Sequence, residues 1–129
     1  AHERASRNRD KALEHFPSTV KWIEGGVVFY DASSSRVRRE RFASFYHHPD
    51  ARYAVGVIPT RAGFHVTCGE NPWNPPENRA NIGAMMEKHG GGGHVAVGGA
   101  NPPDLQAARM VAEETASQLV LHLAKATRT

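Results

Sequence analysis

The stretch IGAMMEKHGGGGHVAVGG, residues 82–99, changes its pattern twice. Ile82, Ala84, Met85 and Met86 give residues 81–89 the apolar spacing of a short amphipathic helix. Gly90 to Gly93 break it, and Val95-Ala96-Val97 then reads as a short strand ended by Gly98-Gly99. One glycine is enough to cap a helix, whereas each further one costs conformational entropy on folding. Four in a row therefore imply unusual backbone angles or a very close approach by something else. Successive backbone N–H groups in such a turn form an anion nest, and His94 at its exit adds a hydrogen bond or a positive charge for a phosphate. The run is not a P-loop, because no Gly-Lys-Ser/Thr follows, and not a dinucleotide fingerprint, because it opens no helix. It follows a helix C-terminus, where the dipole disfavours anions, so any binding rests on N–H groups and nearby cations. A tight structural turn is the competing reading.

Upstream of this stretch, extended segments alternate with helical ones. Residues 1–16 read as a charged helix with sparse apolar positions (Ala5, Ala12, Leu13, Phe16), ended by Pro17. Such a helix has little to bury, which suits an interdomain connector. Val20 to Tyr30 is β-branched and aromatic, with a bend at Gly25-Gly26, and the unalternating run Val27–Tyr30 marks a strand covered on both faces. Residues 31–35 form a turn cluster. Residues 36–47 are expected to be a helix, with Phe42 and Phe45/Tyr46 at helical spacing, stopped by His48-Pro49. Residues 52–59 and 64–68 make a β-hairpin, with Phe64, Val66 and Cys68 on one face. Residues 70–78, with Pro72, Pro75 and Pro76, form an irregular loop. Downstream, Asn101-Pro102-Pro103-Asp104 introduces a last helix with one apolar stripe, Leu105, Ala108, Ala112, Leu119 and Leu123. The expected fold is α/β: a single domain with a small mixed β-sheet flanked by helices.

Composition narrows the function classes. At 129 residues the chain is one ordinary domain, 40% hydrophobic and 22% charged, which excludes disorder, collagen and coiled coil. No stretch approaches the roughly 18 uninterrupted apolar residues of a membrane helix, and no secretory signal opens the chain. The single cysteine, Cys68, rules out an internal disulfide. The expectation is a soluble, cytoplasmic protein with no membrane partner. Lys+Arg 16 against Asp+Glu 13 leaves a net charge of +3. Arg36, Arg38, Arg39 and Arg41 form one basic cluster and Arg4, Arg7, Arg9 and Lys11 another. They read as a solvated face or as a surface for a phosphate-bearing partner, since the guanidinium fork suits phosphate.

Other chemistry is scarce. Asp10, Asp31, Asp50 and Asp104 do not form the cluster that two manganese or magnesium ions need. His47-His48-Pro49-Asp50 reads as surface or capping histidines rather than a metal site. His65 and Cys68 are three apart on a strand and face opposite sides. Cys68 shares a face with Phe64 and Val66, which makes it a small buried hydrophobe rather than a nucleophile. No catalytic residue, metal ligand or cofactor site is expected in this chain.

The run His89-Gly90-Gly91-Gly92-Gly93-His94, with Ile82–Lys88 before it and Ala96-x-Gly98 after it, resembles the signature of the DHH-associated domain, the C-terminal substrate-binding domain of the DHH-family phosphoesterases. The resemblance runs from about Gly26 to the end. It implies an α/β lobe that holds a substrate phosphate or terminal nucleotide over a metal site on another lobe. Gly91, Gly92, Gly93 and His94 would then contact the substrate phosphate. Members that degrade short RNAs often carry an arginine at the end of the strand before the short helix. Here Val66-Thr67-Cys68-Gly69 lacks it, and Gly69–Trp73 stands in its place. Asn71 and Trp73 are therefore added as candidate substrate contacts. Trp73 would stack on a base, worth about 1–3 kcal/mol, or anchor the loop by burial.

The resemblance divides the chain into residues 1–19, a helical connector from an N-terminal catalytic lobe, and residues 20–129, the substrate-binding domain. The chain begins at Ala1 rather than methionine, which fits a piece cut from a longer protein or a processed N-terminus. The expected partners are that catalytic lobe, carrying Mn or Mg, and a phosphate-bearing substrate such as a nucleotide or short single-stranded nucleic acid. A second copy of the chain is a further candidate partner. Alone, the chain should catalyse nothing. A free-standing single-strand nucleic-acid-binding module, resting on Arg36–Arg41, and a structural or dimerisation domain are the alternatives.

Overall fold

Strand β2 (Val27–Asp31) lies inside a six-stranded mixed sheet, with Val27 to Tyr30 all buried, as its unbroken apolar run requires. The computed structural model describes residues 10–35 and 42–126. The strands are β1 (Val20–Glu24), β2, β3 (Tyr53–Thr60), β4 (Gly63–Glu70), β5 (Gly92–Gly93) and β6 (Val97–Ala100), in spatial order β1-β2-β3-β4-β6-β5. Only the β2–β3 pairing is parallel. Gly25 and Gly26 close the β1–β2 hairpin with φ of +54° and +85°, the two left-handed residues a type I′ turn demands.

Residues 10–15 form helix α1, which passes into a 3-10 turn at Phe16–Thr19 that contains Pro17. Ala12 and Phe16 are buried, so this end of the N-terminal segment packs into the domain. The crossover from β2 to β3 carries helix α2 (Ala43–His47). The rest of the predicted helix, with the arginine cluster of residues 36–41, lies outside the described residues. Helix α3 (Ile82–Glu87) is capped by Asn81, whose side chain accepts from the Ala84 N–H at 3.1 Å. Helix α4 (Leu105–Ala126) starts where the Asp104 carboxylate accepts from the Ala107 N–H at 2.8 Å.

Alternation along the strands separates two cores. Val27, Phe29, Tyr53, Val55, Val57, Val66, Cys68 and Ala100 point to one face, sealed by Ile82 and Met86 of α3 and by Ala108, Ala112, Ala116 and Leu119 of α4. The predicted α4 stripe is thus buried at Ala108, Ala112 and Leu119 and half-buried at Leu105 and Leu123, and its alanines let the helix lie close to the sheet. Val28, Tyr30 and Ala54 point to the other face, covered by Phe16, Ala43 and Phe45. Gly56 is part of that packing, because a Cβ there would lie 2.2 Å from the Tyr30 ring.

The last strand differs from expectation. Residues 95–97 are not a strand ended by glycines. Strand β6 contains Gly98 and Gly99, and residues 94–96 form the turn before it. Missing side chains are what allow this pairing. A Cβ on Gly98 would lie 2.8 Å from the Gly92 carbonyl, and one on Gly99 would lie 2.5 Å from the His65 ring. Among the described residues, no helix is long and apolar enough to cross a membrane.

Candidate functional site

Three of the four glycines have a structural reason to be glycine, and Gly92 has none. Gly90 takes φ +79°, its N–H donates to Glu87 O at 3.1 Å, and the Gly91 N–H donates to Met86 O at 2.9 Å. Those are the paired bonds of a Schellman ending, with Gly90 in the left-handed position. A Cβ on Gly91 would lie 2.0 Å from the Gly99 carbonyl oxygen. Gly93 has φ +146°, and a Cβ there would lie 2.4 Å from the Val97 carbonyl oxygen. Gly92 is the exception: a Cβ there would meet nothing within 4 Å, and its φ is not in the left-handed region. It stands opposite Gly99 in the antiparallel β5–β6 pair, so the two share a face of the sheet.

The run is therefore a folded edge hairpin. The N–H groups of Gly90, Gly91 and His94 are already donated to carbonyls, the last to Val97 O at 2.7 Å. It is not an open nest of successive unengaged N–H groups, because the helix ending and the hairpin use those donors first. The hairpin is also tied to α3, where the Ile82 and Gly83 N–H groups donate to Val95 O and His94 O at 3.0 and 2.8 Å. A Cβ on Gly83 would lie 2.6 Å from the Gly93 carbonyl oxygen, so α3 carries glycine where the two backbones meet. The His94 side chain is exposed, with Arg79 and Asn81, in an open concavity of about 630 Å³ that Glu87 also lines.

Arg79 is a cation that the sequence reading missed. Its guanidinium pairs bidentately with Glu70, at 2.7 and 3.1 Å, with Glu70 itself nearly buried. Glu70 raises the Arg79 pKa further, first by hydrogen bonding and then by its charge. The pair bridges the end of β4 and the approach to α3, replacing nothing that a motif would flag.

On the second face of the sheet, β4 and β6 are not sealed. Thr67, Gly69 and Val97 line a groove of about 220 Å³, walled by Phe42, Ser44 and Phe45 from the α2 side and by Pro72 and Ala96. Gly69 leaves its floor as bare backbone; a Cβ there would make only ordinary contact with Val97, at 3.7 Å. Cys68 has its thiol on the opposite, sealed face, where burial pushes its pKa up to about 12. It is protonated and inert at neutral pH, as a small core residue should be.

The loop after β4 holds the two other candidate contacts, in unequal roles. Asn71 is fully buried, and its amide donates to Ala51 O and Pro49 O at 2.8 and 3.2 Å while its Oδ1 accepts from the Trp73 N–H at 2.9 Å. These bonds use its donors to tie the loop to the α2–β3 connection and its acceptor within the loop. Arg52 extends the framework, donating to Asn74 Oδ1 at 2.8 Å and to Pro75 O at 2.9 Å. Trp73 is 58% exposed, and its ring contacts Phe42 and Tyr46 at centroid distances of 5.4 and 5.3 Å. It is not a buried anchor. The i, i+4 spacing of Phe42 and Tyr46 was the available signal that they share a face, with Phe45 turned to the core.

His47, His48 and His65 have structural partners. His47 Nε2 lies 2.5 Å from Leu13 O, and its ring stacks on Phe16. His48 has its pKa lowered by burial and then by His47. His65 Nδ1 lies 2.8 Å from Asn101 Oδ1. Among the described residues, no three of His, Cys, Asp and Glu come together so as to hold a metal ion.

Two solved structures share this architecture. The chain matches a pGpG-specific phosphodiesterase from Vibrio cholerae with a TM-score of 0.71 at 18% identity, over 93% of this chain and 40% of that one. It matches an exopolyphosphatase-related protein from Bacteroides fragilis with a TM-score of 0.62 at 12% identity, over 90% of this chain and 36% of that one. No protein-family model matches the chain, and no curated protein matches it. The chain spans 40% or less of either neighbour, and at these identities the likeness is one of fold: this α/β fold also occurs as part of a phosphodiesterase and of an exopolyphosphatase-related protein.

Proposed function

We propose that this chain is the DHH-associated, substrate-binding part of a DHH-type phosphoesterase. It would hold a phosphate-bearing substrate at the Gly91–His94 hairpin for a metal site on a separate catalytic lobe. The observation that carries the proposal is Gly92, the one glycine of the run that neither packing nor backbone angle requires. A glycine that the fold does not need, at the edge of an open face, is explained by the close approach of a ligand. The fold shared with a phosphodiesterase supports the same reading.

In this reading His94 supplies a hydrogen bond to a phosphate oxygen, and the bare backbone at Gly69 and Gly92 lets the substrate lie close to the sheet. The chain's contribution is binding and orientation, which lowers the entropic part of the barrier for a reaction completed elsewhere. Mn or Mg chemistry would belong to the N-terminal lobe, to which residues 1–19 would lead. The buried, reduced Cys68 supports a cytoplasmic setting.

The test is calorimetric titration with the linear dinucleotide pGpG and with inorganic tripolyphosphate. Binding of either ligand should weaken at least about tenfold in His94→Ala, the loss expected for a hydrogen bond to a charged group. The 129 residues with Mn²⁺ should not hydrolyse a generic phosphodiester. Metal-dependent turnover by this chain, or affinity indifferent to His94, would overturn the proposal.

A further inference from the structure

Trp73 is held rigidly and yet is not buried. The fully buried Asn71, with three hydrogen bonds, and the Arg52–Asn74 and Arg52–Pro75 bonds fix the backbone on both sides of it. An ordered loop normally repays its entropy by burying the apolar residue it carries. Here the indole stays 58% exposed and Tyr46 beside it stays 46% exposed. Neither ring contact is a parallel stack, since the interplanar angles are 59° to Phe42 and 60° to Tyr46. A broad indole surface is thus left for a flat partner. Phe42 and Pro72, which adjoin Trp73 in space and in sequence, wall the groove whose floor is Gly69 and whose far side is Ala96-Val97, next to His94. Ser44 and Thr67 also line this groove.

We infer that Trp73, backed by Phe42 and Tyr46, is a stacking platform for a nucleobase, so that the ligand class is a phosphorylated nucleotide or short oligonucleotide rather than bare polyphosphate. The inference rests on the phosphate-holding reading of the glycine hairpin and names what lies on the other side of the groove. Aromatic faces accept any base, so the platform gives affinity for nucleotides with little sequence preference. A bare polyphosphate has no flat apolar group to place there.

Trp73→Ala and Trp73→Phe, titrated with pGpG and with inorganic tripolyphosphate, decide the matter. Trp73→Ala should weaken pGpG binding roughly tenfold or more, Trp73→Phe should retain most of the affinity, and tripolyphosphate binding should not change in either. Unaltered tripolyphosphate binding also shows that the variants are folded. If Trp73→Ala leaves pGpG affinity intact while His94→Ala still lowers it, the platform is refuted and the hairpin reading survives. If tripolyphosphate binds the native chain more tightly than pGpG, the nucleotide class is refuted. If neither ligand binds the native chain, both readings fall together.

Discussion

The two faces of the sheet are finished differently. One carries valines, Tyr53 and Cys68, and is closed along β2–β4 by α4 and over β6 by α3. The other is closed over β2 and β3 by Phe16, Ala43 and Phe45, but over β4 and β6 it offers Thr67, Gly69 and Val97 to a groove. Closure is what stability requires, so the half-open face is where the fold has given up burial. Of the least explained residues, Trp73 lies against Phe42 at the wall of that groove, and Gly92 lies on the outer strand β5 opposite Gly99. The sealed face explains why the molecule holds together, and the open one explains where a ligand could lie.

The largest expected effect tests the sealed face. Leu119 is fully buried against the sheet, and Leu119→Ala should cost about 2–5 kcal/mol in chemical denaturation. A loss under 1 kcal/mol would mean that α4 does not seal this face as described. Next comes the rim of the open face. Asn71→Ala removes one acceptor from Trp73 and one donor from two loop carbonyls, and should cost about 1–3 kcal/mol. It should also change the Trp73 fluorescence, because the loop that fixes the ring is loosened. An unaltered spectrum would argue against the rigid-loop account.

A smaller effect concerns the tie between β2 and α4. The Asp31 carboxylate accepts from Arg109 Nε at 2.7 Å and from the Ser33 N–H at 2.9 Å. Burial pushes its pKa up, but the bonds from Ser33 and the Arg109 guanidinium outweigh that and hold it below the ordinary carboxylate value. A depressed folded-state pKa adds stability that is complete above the unfolded value near 4 and is lost as pH falls through the lowered folded value. Asp31→Asn should therefore lower the denaturation midpoint at neutral pH and flatten its decline in acid. Parallel acid limbs for native and variant chains would contradict the assignment.

Much of this was legible from the residues. Period 2 in residues 53–57 and 64–68, period 3.6 in α4 and the unbroken run Val27–Tyr30 give the hairpin, the long helix and the doubly covered strand directly. The order of β5 and β6 was not legible, because Gly98 and Gly99 have no side chains to carry a strand pattern. Their pairing is set by backbone approach, which composition does not express. The same limit applies within the candidate site. The run Gly90–Gly93 announces a special loop, but only the geometry separates the helix ending at Gly90 and the packing at Gly91 and Gly93 from the unexplained Gly92. The Arg79–Glu70 pair joins residues nine apart across an irregular loop, where no periodicity applies. Trp73 was visible as a candidate, whereas its exposure and its place beside Phe42 were not.

The central claim is that the glycine run does two jobs, three residues holding the hairpin and Gly92 admitting a ligand. Its most direct test is the pair Gly91→Ala and Gly92→Ala, each measured for unfolding free energy and for pGpG affinity. Gly91→Ala should destabilise by more than about 3 kcal/mol, since its Cβ would be driven into the Gly99 carbonyl. Gly92→Ala should leave stability unchanged, or raise it by about 0.4–1 kcal/mol through the unfolded chain, and should lose pGpG binding. A stable Gly92→Ala chain that binds pGpG as tightly as the native one would contradict the account.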